Sequence, residues 1–499
     1  MAPRNQLSEA FQLAVQYHQS GQLPEAERLY RSILSQQPNH TDALHNLGLI
    51  AARMGRHDAA AALIERAIAL QPDAPDAYYN LAMALKAIGR LDEAVAAYRK
   101  ALALDPAFLE AQSNLGIALQ ANGQLEEAVT AFRQAIDLEP GRSAPRNNLG
   151  VALMELGELD DAIAVYRQAI LVNPDDANAH KNLALALLTR EEFSEGWEEY
   201  EWRWKCPECK HSRRNFPQPL WDGRSFGGQK ILLHAEQGFG DTLQFIRYLP
   251  SVAGLGGQVI VECQPELCRL IGQMAGAFSV VGRREPLPSF DLHCPLLSLP
   301  RAFATVLSTA PRQVPYLHAA PQAVRHWSQR LAEDSSRLKV GLAWSGSSSN
   351  TTNTAKSVSF NELAPLFRLS GVKFYSLQKG PRVDPPGNAT IKPELTDWTD
   401  ELHDFADTAA LISNLDLVIS VDTAIAHLAG ALGKPVWTLL RFAADWRWFR
   451  GRQESPWYPT MKLFRQSKRG DWESVIRRVA EALSFSQDVC DVARNGIGP

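Results

Sequence analysis

Cysteine is scarce, with six in 499 residues, too few for a disulfide framework. No apolar run approaches the ~18–20 residues that span a bilayer. The opening MAPRNQLSEAFQLAV has no secretory apolar stretch and becomes amphipathic at once. These absences predict a cytoplasmic protein with reduced thiols and neither signal peptide nor transmembrane segment. A CPEC segment holds Cys206 and Cys209, followed by His211, but no second pair follows at suitable spacing. Structural zinc wants four ligands, so no metal site is expected there.

What is present is ordinary globular material: 45% hydrophobic and 21% charged residues exclude wholesale disorder and a fibrous chain. The length suggests about three domains. Charge is uneven. Residues 1–210 hold 19 Lys/Arg against 29 Asp/Glu, and the remainder 32 against 26. An acidic front argues against nucleic acid as a partner, and a mildly basic back suits an anionic ligand.

The front is periodic. Gly21, Gly55, Gly89, Gly123 and Gly157 fall 34 residues apart, as do Pro38, Pro72, Pro106, Pro140 and Pro174, and Ala26, Ala60, Ala94, Ala128 and Ala162. The Gly suits a left-handed helix end, the Ala close helix packing, and the Pro a stop after the second helix. This helix-turn-helix period is the tetratricopeptide (TPR) signature, predicting an all-α superhelix over 7–205 with five clear repeats. A sixth, degenerate unit is expected to cap the stack through Trp197, Trp202 and Trp204. Asn46, Asn80, Asn114, Asn148 and Asn182 form another 34-residue column. Either they line the concave face as a ladder for a peptide backbone, since an amide both donates and accepts, or they bond neighbouring repeats. Similar ladders in O-GlcNAc transferases, which these repeats resemble, grip the acceptor polypeptide.

After a linker at 206–228 the pattern becomes short apolar strands alternating with helices, implying parallel sheets. It divides into 229–335 and 336–485, followed by a tail at 486–499. Two Rossmann-like units in series describe the α/β GT-B fold of many nucleotide-sugar transferases, by analogy of architecture.

In DLVISVDTAIAHLAGALG, a strand delivers Asp422 and Thr423 to the sheet edge, where a helix opens at once. N–H groups at Thr423, Ala424 and Ile425 would face a diphosphate, with His427 adding a hydrogen bond or positive charge. The segment resembles the D-[ST]-[GA]-x-x-H-x-A stretch of heptosyltransferases, glycosyltransferase family 9, which implies donor binding by Asp422, Thr423, Ala424 and His427. A second stretch, EQGFGDTLQFIRYLP, uses Gly238 and Gly240 for a tight turn and puts Asp241 at a helix start. It is similar to the GD-x-L-x-x-x-P stretch of the same family, which implies that Asp241 deprotonates the acceptor, with Gly240 and Thr242 near the donor. Glu236 and His234 are alternative bases, and simple helix capping is the alternative role for Asp241. A carboxylate at a helix N-terminus is normally more acidic than usual.

Further candidate donor contacts are Ser345, Gly346 and Ser347 in AWSGSSSN, Lys356, and Gln378 with Lys379. Trp446, Trp448, Trp457 and Tyr458, among Arg447, Arg450 and Arg452, either stack on sugar or pack the crossover between domains. The chain has no Asp-x-Asp triplet, so metal independence is expected, with no cofactor beyond a nucleotide-sugar substrate. The implied activity is inverting glycosyl transfer to Ser/Thr of a protein recruited by the repeats, flagellin being a candidate. The alternatives are a scaffold that binds nucleotide sugar without reacting, or a glycolipid or lipopolysaccharide transferase.

Overall fold

The computed structural model describes residues 2–494 except 211–212, 278, 335, 337, 347–355 and 380–394; side chains at 2–5, 209–210 and beyond 485 are outside the description. Ser347, the Cys209 side chain and His211 therefore lie outside the described residues. The chain forms two compact units, Met1–Asn182 and Leu183–Pro499.

The first unit is a helical repeat array. Its pairs run Ala2–Gln19 with Leu23–Gln36, Thr41–Arg53 with His57–Leu70, Pro75–Ala87 with Leu91–Leu104, Leu109–Ala121 with Leu125–Leu138, and Ala144–Leu156 with Leu159–Val172. Each periodic glycine sits at positive φ, from 74° to 98°, where a Cβ would be strained. The residue before each periodic proline adopts φ between −130° and −142°. Proline drives its predecessor out of the helical region, so each second helix stops there. The alanine column is wholly buried. Close packing also depends on a second small column: a Cβ on Gly116 or Gly150 would lie 2.5 Å from the Phe132 ring or 2.3 Å from the Tyr166 ring.

The unit boundary falls within the helix Ala177–Thr189, although the repeat pattern in the sequence runs on to 205. The following helix, Phe193–Tyr200, buries Phe193, Trp197 and Tyr200 in the core of the second unit. Glu191 occupies the place of the repeat glycine and keeps its left-handed turn at φ 67°, with its carboxylate held 2.6 Å from Arg452.

The second unit contains two parallel sheets. Strands β1 (Lys230–His234), β2 (Gln258–Cys263), β3 (Ser279–Gly282) and β4 (Leu292–Pro295) lie in the order β3-β2-β1-β4. Strands β5 (Leu338–Ala343), β6 (Val372–Ser376), β7 (Leu395–Thr396), β8 (Leu417–Val421), β9 (Val436–Leu440) and β10 (Met461–Arg465) lie in the order β10-β9-β8-β5-β6-β7. The second order is the doubly wound one. Successive strands are laid down in opposite senses on either side of the adjacent, parallel β5 and β8, so a crevice opens at their carboxyl ends. The helix expected after β1 is broken into Phe239–Phe245, a 3-10 turn Ile246–Tyr248, and Leu249–Ala253. Pro250 sits at the start of the last piece, where its missing N–H is tolerated. Among the described residues, no helix is long and apolar enough to cross a membrane.

Candidate functional site

Two cavities meet at the carboxyl ends of β5 and β8. One, of about 590 Å³, is lined by Ser345, Gly346, Gln378 and Lys379 together with the aromatic pair Phe239 and Phe405. The other, of about 410 Å³, is lined by Asp241, Lys356, His427, Asp445 and Arg447. Gly240, Asp422, Thr423 and Ala424 border both. The tip of the helix Ala424–Ala431 thus separates them. The Ala426 N–H donates to the Thr423 carbonyl at 3.1 Å, while the N–H groups of Ala424 and Ile425, at the helix start, have no carbonyl one turn earlier in the helix to bond.

The walls of the first cavity are pre-organised. Gln378 Oε1 accepts from the Ser345 N–H at 2.8 Å and the Trp344 N–H at 3.1 Å. The oxygen is thereby engaged, and the amide is oriented as a donor to whatever enters. Ser357 Oγ accepts from the Gly346 N–H at 3.1 Å. Phe239 and Phe405 lie 4.9 Å apart, tilted by 47°, and supply an apolar surface.

The second cavity is a chain of alternating charges. Lys356 Nζ lies 2.8 Å from Asp422 Oδ2. Arg447 lies 2.5 Å from Asp241 and 2.9 Å from Asp445. Burial works against the charged form of Asp445, yet Arg447 and Lys356 hold its pKa down to about 2. For Lys356, burial opposes the charge, but Asp422 and Asp445 together more than restore it, so the pKa rises.

Several expectations are corrected by this geometry. Asp241 Oδ2 accepts from the Gly238 N–H at 2.9 Å, so the capping role is present. The carboxyl is not more acidic than usual: burial raises its pKa, against the pull of Arg447. Its side chain keeps 21% of its surface open to the cavity. Neither Gly238 nor Gly240 has positive φ, so tight turning is not their purpose. Gly240 instead permits contact between the two sheets' helices, since a Cβ there would lie 2.9 Å from His427 Cδ2 and 3.7 Å from Ala424 Cα.

Thr242 is turned away from both cavities. It is buried, and its Oγ1 donates to Gln264 Oε1 at 2.9 Å. His427 carries no positive charge near neutrality, because burial pushes its pKa down to about 3. Its Nδ1 pairs with Tyr458 OH at 2.9 Å, and its ring stacks on Trp448.

The alternative bases line neither of these two cavities. Glu236 is buried, raised by desolvation to about 7, and bonded to Arg203 at 3.1 Å and the Leu297 N–H at 3.2 Å. His234 is pushed by burial to about 3 and lines a separate cavity of about 610 Å³. The tryptophans after β9 are packing residues: Trp446, Trp448 and Trp457 are all buried, and Trp446 meets Trp197 at 5.3 Å.

Sequence reasoning missed Asp445 altogether and saw Arg447 only as one of a basic-aromatic group. The signal was the Asp-x-Arg spacing: Asp445 Oδ1 accepts both from the Arg447 backbone N–H at 3.1 Å and from its Nη1 at 2.9 Å. The Phe239–Phe405 pair joins residues far apart in the chain and carries no local signal.

In the first unit, the asparagine column ties repeats together. Asn80 Nδ2 meets His45 Nε2 at 3.0 Å, Asn114 Nδ2 donates to Tyr79 OH at 3.3 Å, and Asn182 Nδ2 donates to Asn147 Oδ1 at 2.9 Å. Each partner lies one repeat earlier, so these three amides are not a free ladder. Asn46 and Asn148 are half-buried. Changing Asn80, Asn114 or Asn182 to Ala is expected to lower stability by about 0.5–1.5 kcal/mol each, measured by urea unfolding; no change would show that the ties do not hold the repeats.

Tetratricopeptide repeat family models match residues 11–75, 45–107, 79–145 and 119–188. The glycosyltransferase family 9 (heptosyltransferase) model matches residues 403–464, a span holding Asp422 to His427, Asp445 and Arg447 but not Asp241. Protein FlbA of Caulobacter vibrioides is 28% identical over 311 residues, covering 58% of this chain and 52% of that protein. The chain therefore spans about half the length of this curated relative. Among solved structures, MamA is 24% identical, with 33% of this chain and 96% of that one covered at a TM-score of 0.32. YrrB, described as a TPR protein with an unusual peptide-binding site, is 22% identical, with 34% and 88% covered at a TM-score of 0.33. Residues 11–188 are thus similar to tetratricopeptide repeats and residues 403–464 to glycosyltransferase family 9, and together these matches support a TPR-containing glycosyltransferase.

Proposed function

We propose that the second unit is a GT-B glycosyltransferase that moves a sugar from a nucleotide donor, with inversion and without a metal, to Ser/Thr of a protein acceptor in the cytoplasm. The observation that supports this best is the position of the Ala424–Ala431 tip, at the reversal point of a doubly wound sheet and bordering both cavities. In this reading the nucleotide base and ribose occupy the larger cavity, against Phe239, Phe405 and Gln378, with Ser345 and Gly346 beside them. The diphosphate lies across Gly240, Thr423 and Ala424, where N–H groups and the helix dipole favour an anion. Lys356 offsets its charge and is itself held by Asp422. His427, neutral, offers a hydrogen bond.

The smaller cavity receives the transferring sugar and the acceptor hydroxyl. Asp241 takes the hydroxyl proton as the oxygen attacks the anomeric carbon and the nucleotide leaves. A carboxylate has about four acceptor sites, and the Gly238 and Arg447 contacts leave room for one more. The tetratricopeptide array recruits the polypeptide, and flagellin is a candidate.

The test is calorimetry with UDP, ADP, GDP and CMP. One of them is expected to bind, and Lys356→Met to weaken it roughly tenfold or more. Because the His427 pKa is depressed to about 3, the ring is neutral in the folded protein at both pH 7.5 and pH 5.5. Affinity should show no strengthening from His427 protonation between these values, whereas a cationic histidine would tighten binding as the pH falls. Failure of all four nucleotides to bind at millimolar concentration would overturn the donor-site reading.

A further inference from the structure

Arg447 is the most constrained cation of the site. Its Nη2 donates to Asp241 Oδ1 at 2.5 Å, its Nη1 to Asp445 Oδ1 at 2.9 Å, and its Nε to Gln244 Oε1 at 2.6 Å. The guanidinium lies over the Trp446 ring, 4.6 Å from its centre, and 5.7 Å from that of Phe245. Only 8% of the side chain is exposed. All three guanidinium nitrogens are engaged, so the group cannot swing toward a ligand without breaking these hydrogen bonds. Arginine suits this duty because its donors are fixed in one plane.

We propose that Arg447 is a positioning residue: anchored by Asp445 and Gln244, it aims the Asp241 carboxylate into the smaller cavity and holds it ionised, and Asp445 sets how much of the arginine's charge Asp241 feels. The inference rests on the base role given to Asp241 for its meaning in turnover, but its physical content can be read without turnover. Other groups also face Asp241. Asp445 and Lys356 act on it directly, Tyr200 approaches from the helix Phe193–Tyr200, and Glu236 from the end of β1. Asp422 and the neutral His427 complete the cavity wall. Arg447 is the one cation in hydrogen-bond contact with Asp241 among the described residues.

The experiment is isotope-edited infrared titration of the full-length protein labelled with ¹³C-aspartate, with Asp241→Asn identifying the Asp241 band. Arg447→Gln is expected to raise the Asp241 midpoint by about 1–3 pH units, the usual effect of losing an adjacent opposite charge. Asp445→Asn should move it the other way, because the repulsion is removed and the arginine is shared with one carboxylate fewer. Asp445→Asn also serves if Arg447→Gln fails to fold. A midpoint that stays within 0.3 units in both (about the resolution of such a titration, well below the expected shift) overturns the inference. Nucleotide release from UDP-, ADP- and GDP-glucose is then followed against pH in the same variants. Shifted midpoints with an unmoved acid limb of turnover would leave Arg447 as the positioning group and remove Asp241 as the base.

Discussion

Asp241→Asn is expected to reduce sugar transfer by about 10²–10⁴-fold, the usual contribution of a general base, while nucleotide affinity stays nearly unchanged. The reason lies in which cavity each group faces. Asp241 borders only the smaller cavity, whereas the proposed base and ribose contacts line the larger one and the diphosphate contacts Gly240, Thr423 and Ala424 border both. Of the proposed donor contacts, only Lys356 and His427 share the cavity of Asp241 alone. Asn keeps the size and one oxygen, so the Gly238 N–H and the Arg447 fork can still be satisfied in part. What it loses is the capacity to accept a proton. Calorimetry with the nucleotide that binds wild type, alongside product formation followed by intact mass, separates the two effects. Undiminished turnover would remove Asp241 as the base. A large loss of nucleotide affinity would instead show that its charge helps build the donor site.

The second large effect is on stability. Trp197 is 2% exposed, its Nε1 donates to the Thr305 carbonyl at 2.9 Å, and its ring meets Trp446 at 5.3 Å and Phe193 at 6.1 Å. Trp197→Ala removes a large ring from a packed core, where such a change costs about 3–5 kcal/mol. Circular dichroism during urea unfolding of the full chain measures this, and Trp197→Phe should recover part of the loss. Trp446 is the neighbour of Arg447, so the same substitution loosens the segment that holds Asp241, and turnover should fall in the folded fraction as well. A stability equal to wild type would mean that the helix Phe193–Tyr200 is not docked in this core.

Much of the architecture was legible from local pattern. The repeat glycines, alanines and prolines each impose one backbone or packing condition, and a 34-residue beat repeats the condition five times. Strands β1, β2, β5, β6, β8 and β9 are mainly apolar runs bounded by turn residues, and the edge strands β3 and β4 carry a weaker signal of the same kind. The two strands not foreseen, β7 and β10, are an edge pair of two residues and the mixed run Met461–Arg465. Edge strands bury less surface, so their sequences carry less apolar signal. Apart from the tight turn expected at Gly238 and Gly240, the expectations that needed correction involve an environment rather than a spacing: the charge of His427, the orientation of Thr242, and the partners of Asn80, Asn114 and Asn182.

The one-dimensional order of residues was enough to specify a helical repeat array, a parallel α/β part, and a strand end from which Asp422 and Thr423 open a helix. These follow from backbone preferences and the period of apolar side chains, both local properties. Folding in three dimensions decided that Gly240 meets His427, that burial keeps the imidazole neutral, and that Arg447 reaches from the end of β9 to the carboxylate of Asp241. Desolvation and charge pairing depend on which distant segments are brought together, and no short stretch of sequence carries that information.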